Sequence, residues 1–118
     1  MAGNYDRALT YSSKAYEMEP TERAAVYGLV QSLLILRQGE VAKGILDDYK
    51  FLEPVEVDPG FHKLLAESLD LMGKRVDSQV AMAEHYVGMG EVPLAAEQLR
   101  IARSNLDVTN YQRQKIVA

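Results

Sequence analysis

The sequence predicts an all-α fold in which antiparallel helix pairs stack on one another. The first observation is that a small residue follows each predicted turn by five positions, and the turns are 34, 36 and 17 residues apart. The turn residues are Gly3, Arg37, Gly73 and Gly90, and the small residues are Ala8, Ala42, Ser78 and Ala95. The second is an apolar stripe, spaced i, i+1, i+4 and i+7, that precedes the turns at 37, 73 and 90. The third is that Pro20 and Pro54 close two units 34 residues apart.

A period of 34 residues with this order of small, apolar and proline positions is typical of the tetratricopeptide helix pair. We therefore predict a tetratricopeptide-like superhelix of antiparallel helix pairs, with about six to seven helices in one domain over residues 1–118. Residues 1–20 would form a half repeat, 21–56 and 57–90 two repeats, and 91–118 the C-terminal capping helices. Because Gly3 opens onto the second helix of a repeat, we expect the chain to be a fragment cut from a longer array.

The first three helices are predicted from the residues at their ends. The first covers about residues 4–18 and stops before Pro20. Thr21 is the expected N-cap of the second, which extends to about Arg37. The third covers about residues 40–51 and stops before Pro54. An irregular segment over residues 53–58 then accounts for the two extra residues in the step of 36.

The fourth and fifth helices have clearer signals. Asp58 followed by Pro59 is typical of an N-cap carboxylate and a proline in the first helical position. This helix should end at about residue 72, because Gly73 can adopt the left-handed conformation that stops a helix. Asp77 or Ser78 is the expected cap of the fifth helix, which runs to about residue 90.

The C-terminal part of the chain is predicted to be helical as well. Pro93 lies in the first turn of a sixth helix that reaches about residue 104. Asp107 then opens a last segment with a helical pattern, which would be the seventh helix.

Composition narrows the classes of partner. The net charge is −4 and no block of lysine or arginine occurs, so nucleic acid is not an expected partner, because its phosphates require clustered cations. The longest apolar stretch, residues 28–36, contains Gln31 and Ser32 and is too short to span a bilayer, so membrane insertion is not expected. The absence of cysteine excludes disulfides and thiolate chemistry but is compatible with a reducing or an oxidising compartment.

The two histidines do not predict a catalytic or metal site. His62 and Glu67 are five residues apart and do not share a helix face, and Glu84 and His85 are adjacent and point about 100° apart. The H-E-x-x-H motif is absent, so we predict no catalytic, metal-binding or cofactor-binding residue and no enzyme activity of this chain. His85 occupies a position that alanine or tyrosine occupies in the other helices when the repeats are aligned. This position predicts a packed or half-buried side chain.

Binding is expected on the concave side of the stack, which the first helices of successive pairs line. The residues predicted on that side are Tyr27, Gln31, Leu34, Ile35, Lys63, Glu67 and Asp70. One interpretation is a groove that takes an extended or helical segment of another protein. The other is a solvated helix surface with one incidental tyrosine.

From the repeat pattern we expect the first helix to lack the helix with which it would pair in a complete repeat. Tyr5, Leu9 and Tyr16 would then be covered on one side only, and an apolar strip would be exposed. Self-association through this strip is the resulting hypothesis.

Three phrases of the sequence resemble one particular family. The pattern L-L-A-E-x-L-x-x-x-G-x-x-x-x-(A/S) occupies residues 64–78, A-E-(Y/H)-Y-x-x-x-G-(D/E) occupies residues 83–91, and A-x-x-Q-L ends at Leu99. In this order, followed by an Asp-led helix with YQRQKI, they resemble the C-terminal repeat domain of bacterial periplasmic zinc metallopeptidases related to the β-barrel assembly-enhancing protease. The chain departs from the family pattern at Arg37, where glycine is usual, and at Gly44 within the third helix.

The resemblance implies a parent enzyme whose zinc and catalytic residues lie in another domain, so this chain would hold no cofactor itself. It also implies a periplasmic location and a role in recruiting outer-membrane proteins, or their assembly machinery, for quality control. The alternative is a stand-alone scaffold or chaperone subunit of a secretion or pilus assembly, with no enzyme attached. An upstream signal peptide and H-E-x-x-H motif would favour the first hypothesis, and further repeats alone would favour the second.

Overall fold

A computed structural model describes residues 2–54 and 58–117, with side chains over residues 6–54 and 58–106. Within these residues the protein is all-α, which confirms the predicted fold class. The helices are α1 (Ala2–Met18), α2 (Arg23–Ile35), α3 (Gly39–Leu52), α4 (Pro59–Leu71), α5 (Arg75–Gly88) and α6 (Val92–Val117). Each helix packs against the next, and α2 also contacts α4. Because the connections are short, consecutive helices run antiparallel, as in a helical-repeat stack.

The predicted helix ends are confirmed at four positions. Gly73 and Gly90 have φ angles of +76° and +78°, and Arg37 has a φ of +60° at the equivalent turn. The repeat alignment therefore located a left-handed turn even where the residue is not glycine. Asp58 caps α4, because its carboxylate accepts a hydrogen bond of 3.0 Å from the Gly60 N–H.

Two predicted caps are wrong. Thr21 does not cap α2; the neighbouring Glu22 is the N-cap residue, and its carboxylate accepts a backbone N–H. Neither Asp77 nor Ser78 caps α5, which begins two residues before Asp77 without a side-chain cap. Ser78 instead donates a hydrogen bond of 2.7 Å to the Ala66 carbonyl of α4, so its hydroxyl joins two helices rather than ending one.

The predicted break before Asp107 is also wrong. The α6 helix is continuous from Val92 to Val117, so the described residues contain six helices and not seven. The physical reason is that residues 94–117 contain neither glycine nor proline, and an aspartate alone does not end a helix. The irregular segment predicted at 53–58 includes residues 55–57, which lie outside the described residues.

The main hydrophobic core lies between α2, α3 and α4. Its buried members are Val26, Leu29, Val30, Leu33, Ala42, Leu46, Tyr49, Phe61 and Leu64. Leu9 and Tyr16 of α1 pack against it and are half-buried, while the side chain of Tyr5 lies outside the described residues. A smaller cluster of Ala66, Leu69 and Ala81 joins α4 to α5. None of the described helices has the length and apolar character needed to cross a membrane.

Candidate functional site: a groove between α2 and α4

Four of the seven predicted binding residues line one open groove. Gln31, Leu34 and Ile35 of α2 and Glu67 of α4 surround a volume of about 410 Å³. They come together because α2 and α4 pack side by side, as equivalent helices of successive repeats do. Leu34 is half-buried and Ile35 is 55% exposed, so the floor of the groove is apolar and accessible.

Lys63 and Asp70 lie beside this groove on α4. Both are exposed, and they precede and follow Glu67 by four and three residues on the same face of the helix. Neither is among the lining residues. The edge of the groove on α4 therefore carries one cation, Lys63, and two carboxylates, Glu67 and Asp70. This edge can interact with groups of either charge.

Tyr27 has a different place from the other predicted residues. Its side chain is half-buried against the main core, and its ring lies edge-on to Tyr49 with centroids 5.9 Å apart. Its hydroxyl donates a short hydrogen bond to the carboxylate of Asp58, the residue that caps α4. The guanidinium of Arg23 lies 5.0 Å from the centre of the Tyr27 ring, in cation–π geometry. Tyr27 thus joins α2 to the start of α4.

Arg23, Tyr27 and Asp58 form a polar cluster, which we call the α2–α4 clasp. Arg23 contributes two hydrogen bonds of 3.0 Å, from Nε and Nη2, to the two oxygens of the Asp58 carboxylate. The Asp58 side chain is only 16% exposed, whereas Arg23 is 61% exposed. Together with the bonds from Tyr27 and from the Gly60 N–H, the carboxylate accepts hydrogen bonds from three separate groups, so its half-buried charge is compensated.

The surroundings of the clasp raise the pKa of Tyr27 and lower the pKa of Asp58. Burial, reinforced by the hydrogen bond to Asp58, raises the pKa of Tyr27 well above its ordinary value, so the phenol remains a donor. Burial also opposes ionisation of Asp58, but the hydrogen bonds from Tyr27 and Arg23 outweigh it and lower the pKa of the carboxyl. Both shifts favour the neutral phenol and the ionised carboxylate that the bond requires.

The sequence indicated one part of the clasp but not the whole. Asp58 was predicted as a cap from the proline that follows it, and Tyr27 as an exposed binding residue from its position on α2. Their contact spans 31 residues along the chain, and no periodic pattern within one helix reports such a pair. One feature of the sequence could have indicated this contact: Tyr27 is aromatic although it lies outside the apolar stripe of its helix.

The histidines are also engaged between helices. Nδ1 of His62, a buried residue of α4, lies 3.0 Å from a carboxylate oxygen of Glu84 on α5. Nδ1 of His85 lies 2.8 Å from the Pro59 carbonyl, and His85 is half-buried, as its repeat column predicted. Over the part of the chain that the structure describes, no three His, Asp or Glu side chains converge as metal ligands would. These contacts join α4 to α5.

Comparisons of the chain with protein-family models, with curated proteins and with solved structures found no match.

Proposed function

We propose that this protein is a protein-interaction module that binds a segment of another protein in the groove between α2 and α4. The observation that carries the proposal is that Gln31, Leu34, Ile35 and Glu67 line one groove with an apolar floor. The volume of about 410 Å³ is enough for a few side chains of a peptide rather than for a whole helix bundle. A groove of this kind is suited to an extended or short helical segment.

The polar edge indicates which segments would bind best. Gln31 can donate and accept hydrogen bonds, and Glu67 can accept them from the backbone amides of an extended peptide. Because Asp70 extends the acidic edge and the net charge of the protein is −4, we expect neutral or basic segments to be preferred over acidic ones.

We propose further that this module is the recruiting arm of a periplasmic zinc metallopeptidase that acts in outer-membrane protein quality control. The support is the family resemblance of residues 64–78, 83–91 and the phrase ending at Leu99. In that setting the bound segments would be strands of unfolded β-barrel proteins, in which apolar and polar side chains alternate. The support for a tetratricopeptide arrangement is the 34-residue period, together with the packing of each helix against the next and of α2 against α4.

The groove can be tested with a fluorescently labelled peptide that copies one strand of an outer-membrane β-barrel protein. We expect saturable binding to the wild type and at least tenfold weaker binding to Ile35→Asp, because a carboxylate would then lie on the apolar floor. Val41→Asp is the matched control, because Val41 is 51% exposed on α3, outside the groove lining, and Ile35 is 55% exposed. Equal loss in both variants, or no loss in either, would contradict the proposed site.

The enzyme context has a separate test in the parent gene. A signal peptide and an H-E-x-x-H motif upstream of residue 1 would support the recruiting arm. Further repeats without such a motif would favour a stand-alone scaffold and leave the groove proposal unchanged.

A further inference from the structure

The groove between α2 and α4 contains a carboxylate that the fold itself does not compensate. Glu67 lines this groove and is half-buried. Among the residues whose side chains the structure describes, its carboxylate has no partner in an ion pair or a hydrogen bond. A partly desolvated charge without a partner is unfavourable. A cation supplied by a ligand therefore gains more at Glu67 than at a fully exposed carboxylate.

Two other half-buried carboxylates of this protein are compensated. Asp58, in the clasp, accepts two hydrogen bonds of 3.0 Å from a guanidinium. Asp47 lies 2.7 Å from the ammonium group of Lys43, which precedes it by four residues on α3. Lys63 precedes Glu67 by the same spacing on α4, yet no ion pair joins these two within the described part of the chain. The spacing therefore permits such a pair, but the carboxylate of Glu67 lines the groove instead.

The clasp closes one end of the groove. A Cβ atom added at Gly60 of α4 would lie 3.4 Å from Nη2 of Arg23 and 3.5 Å from Cε2 of Tyr27, so α2 and α4 are in direct contact at this level. The groove begins further along both helices, at Gln31 and Glu67. Because the guanidinium of Arg23 is held within the clasp, it does not compensate Glu67.

The position of the groove does not depend on how far the repeat array extends. In a linear stack each repeat contacts only its neighbours, so further repeats pack on the first or last helices. The α2 and α4 helices already pack on each other, and the groove lies between them. Further repeats at either end would lengthen this row of helices and leave the surface between α2 and α4 accessible.

The apolar floor of the groove suits the aliphatic part of a basic side chain. Leu34 and Ile35 line the same groove as Glu67. Lysine and arginine place their methylene groups along apolar surface while the charged end reaches a polar partner. A guanidinium can bind one carboxylate through two N–H groups, and the amide oxygen of Gln31 can accept a further hydrogen bond. The floor, the amide and the carboxylate together match a side chain with an aliphatic stem and a cationic end.

We propose that the groove selects segments that carry an arginine or a lysine, whose stem lies on Leu34 and Ile35 and whose charged end pairs with Glu67. This assignment rests on the function proposed above, because it names the class of segment that the module binds. Glu67 is then the specificity-determining residue of the groove. Arginine should bind more tightly than lysine, because its planar guanidinium can bond to Glu67 and Gln31 at the same time.

The test uses the whole chain and three uncharged-flank peptides that differ only at the central position, which is arginine, norleucine or glutamate. Norleucine keeps an aliphatic stem and lacks the charge. Affinity is measured by fluorescence anisotropy, and chemical shifts of the Leu34 and Ile35 methyl groups locate the bound peptide. We expect the arginine peptide to bind roughly tenfold more tightly than the norleucine peptide, as for one hydrogen bond to a charged group. The glutamate peptide should bind most weakly.

Two matched variants assign this preference to one carboxylate. Glu67→Gln and Asp70→Asn remove the same charge from the same helix, but only Glu67 lines the groove. We expect Glu67→Gln to reduce the preference for arginine over norleucine to less than about twofold, and Asp70→Asn to keep it. Glu67→Arg should reverse the preference, so that the glutamate peptide binds most tightly. Thermal unfolding checks that each variant is folded, and the comparison of peptides on the wild type needs no variant.

The remaining outcomes separate this inference from the proposed function. Equal affinity for the arginine and norleucine peptides, with shifts at Leu34 and Ile35, would overturn the role of Glu67 and leave the groove as a binding site. Binding of the β-strand peptide but of none of these three would do the same. Failure of all four peptides to bind would contradict the groove as well. A preference for arginine that persists in Glu67→Gln, or that Asp70→Asn abolishes equally, would also overturn the assignment.

Discussion

Replacement of Tyr27 by phenylalanine tests whether the clasp holds α2 to the start of α4. The substitution removes the hydroxyl that donates to Asp58 and keeps the ring that packs against Tyr49 and beneath Arg23. Any effect on stability therefore reports the hydrogen bond and not the burial of the ring.

The expected loss is about 1.5 kcal/mol in the free energy of unfolding. A hydrogen bond to a charged group contributes about 1.5–3 kcal/mol. The low end applies because the Asp58 carboxylate keeps its bonds from Arg23 and from the Gly60 N–H after the change. For a domain of 118 residues, this loss corresponds to a decrease of about 6 °C in Tm.

Urea titration followed by circular dichroism measures the effect, with Asp58→Ala and the double variant completing a cycle. In the Asp58→Ala background, Tyr27→Phe should cost almost nothing, because its partner is already absent. Loss of less than about 0.3 kcal/mol in the single variant would refute the reasoning, and so would full additivity of the two changes.

The pH dependence supplies an independent check of the same contact. The pKa of Asp58 is lowered in the folded state, so its contribution is present above the ordinary carboxyl pKa of about 4 and is lost as the pH falls through the folded value. The pKa of Tyr27 is raised, so its contribution is present below about pH 10 and is lost at higher pH. The difference in stability between wild type and Tyr27→Phe should therefore be greatest at neutral pH and decrease below about pH 4. A constant difference from pH 2 to pH 7 would contradict this.

Four other substitutions have defined expectations in the same unfolding assay. Gly44→Ala should stabilise by about 1 kcal/mol, because no atom beyond the neighbouring residues and the backbone of α3 itself lies within 4 Å of the added methyl group, whereas Gly39→Ala should destabilise, because its methyl would lie 2.7 Å from Cβ of Leu71. Arg37→Gly should stabilise by roughly 0.5–1 kcal/mol, because the φ of +60° strains an L-residue, and unchanged or lower stability would contradict this. Leu46→Ala should cost about 3 kcal/mol, since Leu46 is fully buried in the main core, and a loss below about 1 kcal/mol would be inconsistent with that packing.

The fold was predictable because equivalent positions of the repeat have the same structural role several times along the sequence. The turn at Arg37 is an example, since its left-handed conformation follows from its alignment with Gly73 and Gly90 and not from its own side chain. The start of α5 was not predictable in this way. Ser78 resembles a cap in sequence, but its hydroxyl bonds to the neighbouring helix. A local pattern cannot distinguish these two uses of one hydroxyl.

The residues of the candidate site fall into the same two groups: those that the repeated pattern predicts, and those whose role depends on a contact with another helix. Helical spacing, together with the predicted stacking of successive helix pairs, places Leu34, Ile35 and Glu67 on one surface, and they do line one groove. The role of Tyr27 depends on the carboxylate of Asp58, which caps another helix, and the His62–Glu84 pair joins two helices in the same way. Whether a protein segment occupies the groove stays a prediction, because it depends on a molecule that is not part of the chain.

The clasp has a consequence for the order in which this stack opens. In a linear array each helix is stabilised mainly by its neighbours, so fluctuations begin at the ends. Arg23, Tyr27 and Asp58 add a contact between helices that are two apart, at the centre of the array. Amide hydrogens of α2 and α4 should consequently exchange with solvent more slowly than those of α1 and α6. The groove would then lie in the slowest-exchanging part of the protein.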